Sequence, residues 1–298
     1  PWKLISAAEG NKLESPKQRV LLNLFDGLDR SAKHRLRVRV AKDQPASNTP
    51  RTARIGAVLV GNYVHPFYEG YQPLERIDAI YQKMQPVKYT PPADRWKAIP
   101  KTMNKLRNGD SLCITMLGDS IMDDSANSKY ELVLQQLYPK CKVKRVTACW
   151  GGTGCWRYKQ DNLVEKFALK ENPDLLVIGG ISQREDIDSI REVIRQARAL
   201  KPDLEFLLIT PVMGHENDPH NKFWTLEIDA AKYAYRANLK KLAEEEHCEF
   251  LDLTGVCRKY MMDSGRCVGW YMRDGVHANE RGSQVIGRHI VEYFRPNN

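Results

Sequence analysis

Two short stretches of this sequence hold the residue types that make a hydroxyl reactive. One is Gly118-Asp119-Ser120, and the other is Asp274-Gly275-Val276-His277 near the C-terminus. A serine hydroxyl is a weak nucleophile and needs a base within hydrogen-bond reach. Histidine titrates nearest neutrality, so it can take the proton and later return it. A carboxylate on the other ring nitrogen fixes the tautomer and stabilises the imidazolium. Asp274 and His277, three residues apart, can supply acid and base from one loop. Attack on a carbonyl also needs donors for the oxyanion, and backbone N–H groups in a tight loop such as Gly151-Gly152-Thr153-Gly154 can provide them. A helix starting after Ser120 would add a favourable dipole.

Each residue also has a plainer role open to it. Ser120 can cap the helix that follows. Asp119 suits the turn better than the chemistry. His277 can be a surface histidine and Asp274 a loop cap. The joint occurrence favours the chemical reading for Ser120, His277 and Asp274. His215 and His220, with Glu216 and Asp218, invite a metal reading. Gly214, Asn217 and Pro219 in the same stretch describe an irregular polar loop instead, so neither a metal nor another cofactor is expected. His215 is kept as a candidate substrate contact. Trp150, Trp156 and Trp270 fall in candidate rim loops. Core packing is the default for tryptophan, but an exposed face stacks on sugar rings, and Trp150 and Trp156 are the candidate substrate contacts.

The elements that must position these groups follow from periodicity. Near-continuous apolar runs, as parallel strands buried on both faces require, occur at 112–117, 142–147, 174–178, 205–210 and 249–253. Between them, Ile187–Leu200 and about Ile228–Glu246 repeat apolar residues at three- to four-residue spacing, and Gly282–Phe294 forms a last helix. Strand–helix alternation of this kind predicts a doubly wound parallel sheet with right-handed crossovers. In such sheets the chemistry collects at the carboxyl ends of the strands. Ser120, the glycine loop, Gly179-Gly180-Ile181-Ser182-Gln183, the His215 loop and the Asp274–His277 loop all follow strand ends.

This arrangement resembles the GDSL/SGNH hydrolase family over roughly residues 108–295. The resemblance rests on Gly118-Asp119-Ser120, the glycine block ending at Gly154, and Asp274-x-x-His277, in that order. It implies a flavodoxin-like three-layer α/β/α domain with a five-stranded parallel sheet. It also implies a Ser120–His277–Asp274 triad, with the Ser120 and Gly154 amides as oxyanion donors. One position departs from the family pattern. Where the third block carries an Asn donor, Ile181 stands here, and Gln183 is the expected substitute because its amide can donate and reach as Asn would. No G-x-S-x-G elbow is present. Gly118-Asp119-Ser120 lacks the glycines that cradle phosphates, which argues against a nucleotide-binding flavodoxin-like protein.

Three regions are expected: a small sandwich-like β module, complete or partial, over 1–62, an ordered linker over 63–95, and the catalytic domain over 96–298. The linker holds five prolines and a short helix around Glu75–Lys83. The net charge of +9 is concentrated at the front, where residues 1–60 hold 12 Lys and Arg against 5 Asp and Glu. An ordinary solvated face is the simpler account of it, and no nucleic-acid partner is expected. No apolar run is long enough to span a membrane. The chain starts at Pro1 without an initiator Met or a basic-then-apolar leader, so a processed or truncated start is expected, with any export signal lost from view. The expected location is secreted or periplasmic. Cys149 with Cys155, and Cys257 with Cys267, bracket loops and can pair in an oxidising compartment.

The expected activity is hydrolysis of short-chain esters, foremost acetyl groups on carbohydrate, because carbohydrate esterases of this family pair a β module with the hydrolase. A small molecule or a polysaccharide ester is the expected partner. The rival readings are a lipase or lysophospholipase with a long acyl groove, and a non-catalytic glycan-binding protein on a degenerate scaffold.

Overall fold

The computed structural model describes residues 73–212 and 234–296. The β module expected at 1–62 and the His215 loop lie outside the described residues. A compact unit begins at Pro73 with helix α1 (Pro73–Tyr81), close to the short helix expected in the linker. The rest of that stretch is fastened to the α/β unit. Gln85 and Tyr260 exchange two hydrogen bonds, and Arg95 Nε donates to the Tyr293 carbonyl at 3.0 Å.

Five strands, β1 (Ser111–Gly118), β2 (Lys142–Cys149), β3 (Leu175–Ile178), β4 (Glu205–Ile209) and β5 (Glu249–Leu251), pair in parallel in the order β2-β1-β3-β4-β5. The fold is the α/β SGNH-type arrangement. Alternation along each strand sorts the core into two layers. Leu112, Ile114, Met116, Leu175, Val177, Leu207 and Ile209 face one layer. Helices α2 (Pro100–Asn108), α3 (Ser120–Asn127), α4 (Tyr130–Leu137), α8 (Leu253–Ser264) and α9 (Glu280–Phe294) bury apolar residues in that layer. Leu117, Leu176, Ile178, Phe206 and Leu208 face the other. There α5 (Cys155–Tyr158), a π turn at Val164–Ala168, α6 (Ile187–Leu200) and α7 (Tyr235–Glu245) cover them. The chain steps from β1 to β2 on one side and to β3 on the other, so a crevice forms between the loops after β1 and β3.

The fifth strand is shorter than the sequence suggests. It stops at Leu251 because Asp252 caps a helix, its carboxylate accepting from Gly255 N–H and pairing with the fully buried Arg236. The apolar Leu253 therefore opens α8 and does not close β5. All seven cysteines are free thiols, so neither bracketing pair is bridged. Among the described residues no helix is long and apolar enough to cross a membrane.

Helix α2 has no side-chain cap of its own. Glu205, at the start of β4 and 7% exposed, accepts from Lys101 N–H and Thr102 N–H, both at 2.7 Å. A carboxylate at a helix N-terminus satisfies orphan donors and meets the positive end of the dipole. Glu205→Ala is expected to lower the unfolding free energy by roughly 1.5–3 kcal/mol, read as a lower urea midpoint at unchanged m-value.

Candidate active site

The site begins where β1 ends. At Gly118 a side chain would overlap the Gly179 carbonyl oxygen, so the backbones after β1 and β3 close on each other there. Asp119 is fully buried and caps α3, its Oδ1 accepting from Ile121 N–H at 2.9 Å. Its Oδ2 accepts from Ser182 N–H at 2.5 Å, across the crevice. Because Asp119 is the cap, Ser120 falls in the first helical turn and its hydroxyl is free of that duty.

The hydroxyl meets the histidine instead. His277 Nε2 lies 2.8 Å from Ser120 Oγ, and Nδ1 lies 3.0 and 2.9 Å from the two oxygens of Asp274. Asp274 Oδ1 also accepts from the N–H groups of Val276 (2.8 Å) and His277 (2.7 Å). These backbone bonds, His277 first, hold the Asp274 carboxyl down to about 2. The acid is thus ionised at any neutral pH although its side chain is half exposed. A hydroxyl, a base and an oriented acid in line can deprotonate the oxygen for attack on a carbonyl.

Among the described residues no acceptor takes the N–H of Ser120 or of Gly154. Gly154 is buried where a side chain would sit 2.6 Å from the Ser182 carbonyl oxygen and 2.8 Å from Gln183 Oε1. Gln183 is placed differently from the expectation of an open donor. It is 2% exposed, its Oε1 accepts from Cys155 N–H at 2.8 Å, and its Nε2 donates to the Gly179 carbonyl at 2.7 Å. Its amide therefore braces the glycine loop, next to Gly154, against the end of β3. Ile181, at the family's Asn position, packs against the first apolar core layer.

With this geometry in place, the sequence matches the GDSL-like lipase/acylhydrolase family over residues 116–285, more than half of the chain. The chain belongs to the GDSL-like lipase/acylhydrolase family. Solved structures share its fold. A two-domain esterase active on acetylated mannans aligns with a TM-score of 0.53 at 16% identity, covering 67% of this chain and 52% of that one. Its mannopentaose co-crystal gives 0.52 at 15% identity. A variant of an acetyl xylan esterase from Geobacillus stearothermophilus gives 0.48 at 19% identity, covering 61% and 94%. This chain spans about half the length of the two-domain esterase. No curated protein matches the sequence.

Around the core the aromatic residues divide. Trp150 packs with Phe167, ring centroids 4.5 Å apart, and with Tyr158 at 5.7 Å, and so belongs with the second core layer. Trp156 stays half-buried, donates from Nε1 to the Ser182 carbonyl, and carries the Arg184 guanidinium 3.7 Å above its ring. Trp270 lies beneath Arg281, whose Nε donates to the Trp270 carbonyl. Surface clefts of about 330 and 450 Å³, lined around Trp96 and Tyr89, contain neither Ser120 nor His277. No three His, Cys, Asp or Glu side chains among the described residues converge as a metal would need.

Sequence reasoning passed over two groups near the candidate site. Asn279 caps α9, with Oδ1 accepting from Arg281 and Gly282 N–H, while Nδ2 donates to the Trp270 and Met272 carbonyls. Asp124, fully buried on α3, receives Arg273. The available signal for Asp124 was an acid four residues after Ser120, amid the buried Ile121, Met122, Ser125 and Ala126. Gln183→Leu leaves the Cys155 N–H and the Gly179 carbonyl without partners. It is expected to lower kcat toward a short-chain aryl ester by about tenfold or more, with the folded fraction checked by thermal melting.

Proposed function

We propose that this acylhydrolase removes short acyl groups, foremost acetyl, from carbohydrate through a Ser120–His277–Asp274 triad and an acyl-enzyme. The observation that carries the reading is the 2.8 Å contact of His277 Nε2 with Ser120 Oγ, with Asp274 on the opposite ring nitrogen. His277 takes the Ser120 proton as the oxygen attacks the ester carbonyl. The tetrahedral oxyanion is received by the N–H groups of Ser120 and Gly154, at the positive end of α3. His277 then protonates the leaving alcohol, activates a water, and the acid is released. Support for acetylated carbohydrate comes from the fold shared with an esterase active on acetylated mannans and from Trp156 at the rim. Such substrates lie outside the cell, which fits a secreted or periplasmic enzyme.

The test is hydrolysis of acetyl, butyryl and longer p-nitrophenyl esters and of acetylated mannan and xylan. Wild-type protein is expected to favour the acetyl ester, and Ser120→Ala to lose more than about 10³-fold in kcat. A preference for long acyl chains would indicate a lipase. Inertness of wild type on every ester, together with no fluorophosphonate labelling of Ser120, would leave a glycan-binding scaffold. Because Asp274 titrates near 2, its protonation does not set an acid limb of kcat/KM between about pH 4 and pH 8. Asp274→Asn is therefore expected to lower kcat across that range while the limb itself persists in the pH–rate profile.

A further inference from the structure

The loop that carries Asp274 and His277 is rigid within itself. Arg273 N–H donates to the His277 carbonyl at 2.9 Å, Met272 and Ala278 form an antiparallel bridge, and Asp274 holds its own loop's N–H groups. These bonds fix Asp274 relative to His277 but fix neither relative to Ser120. The link to the nucleophile helix is made by Asp124, one helical turn beyond Ser120. Its Oδ1 accepts from Arg273 Nη1 at 2.5 Å and its Oδ2 from Ala278 N–H at 3.0 Å, while the same Nη1 donates to the Ala278 carbonyl at 2.7 Å. The carboxylate thus grips the loop on both sides of the Asp274–His277 pair.

We propose that Asp124 and Arg273 are positioning residues that set the distance between Ser120 and His277; this rests on the reading of Ser120, His277 and Asp274 as a triad. Two further features support it. Arg273 Nε lies 4.0 Å from Asp274 Oδ2, so the guanidinium stands between two carboxylates and is held toward Asp124. Burial pushes the Asp124 carboxyl up, and the Arg273 bond and charge draw it back, with His277 also acting on it. Without the Asp124 charge, Arg273 swings to Asp274 and competes with the imidazole for that carboxylate.

The competition gives a signature that a merely structural bond lacks. Asp124→Asn is expected to lower kcat by about 100-fold, with KM little changed. Asp124→Asn combined with Arg273→Met is expected to be faster than Asp124→Asn alone, because the freed guanidinium is gone. Arg273→Lys is expected to keep most of the activity that Arg273→Met loses, since both loop bonds leave from one nitrogen that a lysine ammonium can replace. If Asp124→Asn does not fold by thermal melting, the Arg273 pair decides, because that side chain is half exposed. The proposal is overturned if folded Asp124→Asn keeps near wild-type kcat or loses activity through KM alone. It is also overturned if Arg273→Lys and Arg273→Met fall equally. Fluorophosphonate labelling separates the two failures. An unlabelled wild type sinks the triad, whereas a labelled wild type with an equally fast Asp124→Asn sinks only the positioning role.

Discussion

A single buried carboxylate, Asp119, sets the geometry on which the rest of the site depends. A buried carboxyl group is tolerated only when its oxygens are satisfied, and both of these are, by Ile121 N–H and Ser182 N–H. One bond starts α3; the other ties it to the loop after β3. Approach this close requires a glycine at 180, whose φ of +102° and lack of a side chain leave room for Asp119 Oδ1, 2.5 Å from where a Cβ would stand. The consequences spread outward. Ser182 fixed by Asp119 in turn accepts Trp156 Nε1, and its carbonyl crowds Gly154. The glycine loop after β2 therefore leans on the loop after β3, which leans on Asp119.

The two ends of the sheet differ in what they leave unsatisfied. At the amino ends, Glu205 and Glu249 are saturated by backbone donors. Glu249 accepts from Trp96 N–H at 2.7 Å and Ala98 N–H at 3.2 Å, and also from the Tyr293 hydroxyl. Nothing there is left for chemistry, and those groups hold residues 96–102 against the strands. At the carboxyl ends, the N–H groups of Ser120 and Gly154 have no acceptor among the described residues. Parallel strands concentrate such loops on one edge, and the switch between β2 and β3 opens the crevice beside Ser120.

What the sequence displays is whatever depends on local pattern. Buried strands read as apolar runs, and the motif at the end of β1 was placed as expected. The Asp274–His277 motif, expected after the fifth strand, instead lies in the loop between α8 and α9 and reaches Ser120 from there. Long-range side-chain partnerships were not legible. Gln183 is long enough to donate to an oxyanion, but the buried Cys155 N–H and Gly179 carbonyl compete for its amide, and burial decides for them. Trp150 occupies a loop by sequence and a packed aromatic cluster in space. Asp124 and Arg273 are 149 residues apart, and only the docking of one loop on one helix makes them partners. The start of α8 was hidden because Leu253 extends the apolar run of β5, while the cap at Asp252 overrides it.

The Asp274–His277 pair has a property that follows from its own bonding. Its acid faces solvent and is satisfied by the N–H groups of Val276 and His277 and by the imidazole. It needs no buried partner and no distant backbone to stay ionised and aimed. The four residues therefore behave as a portable cassette, complete in their internal chemistry. Grafting such a cassette onto another loop would demand only a docking contact to bring it to a hydroxyl, a far smaller requirement than rebuilding a buried acid and its surrounding core.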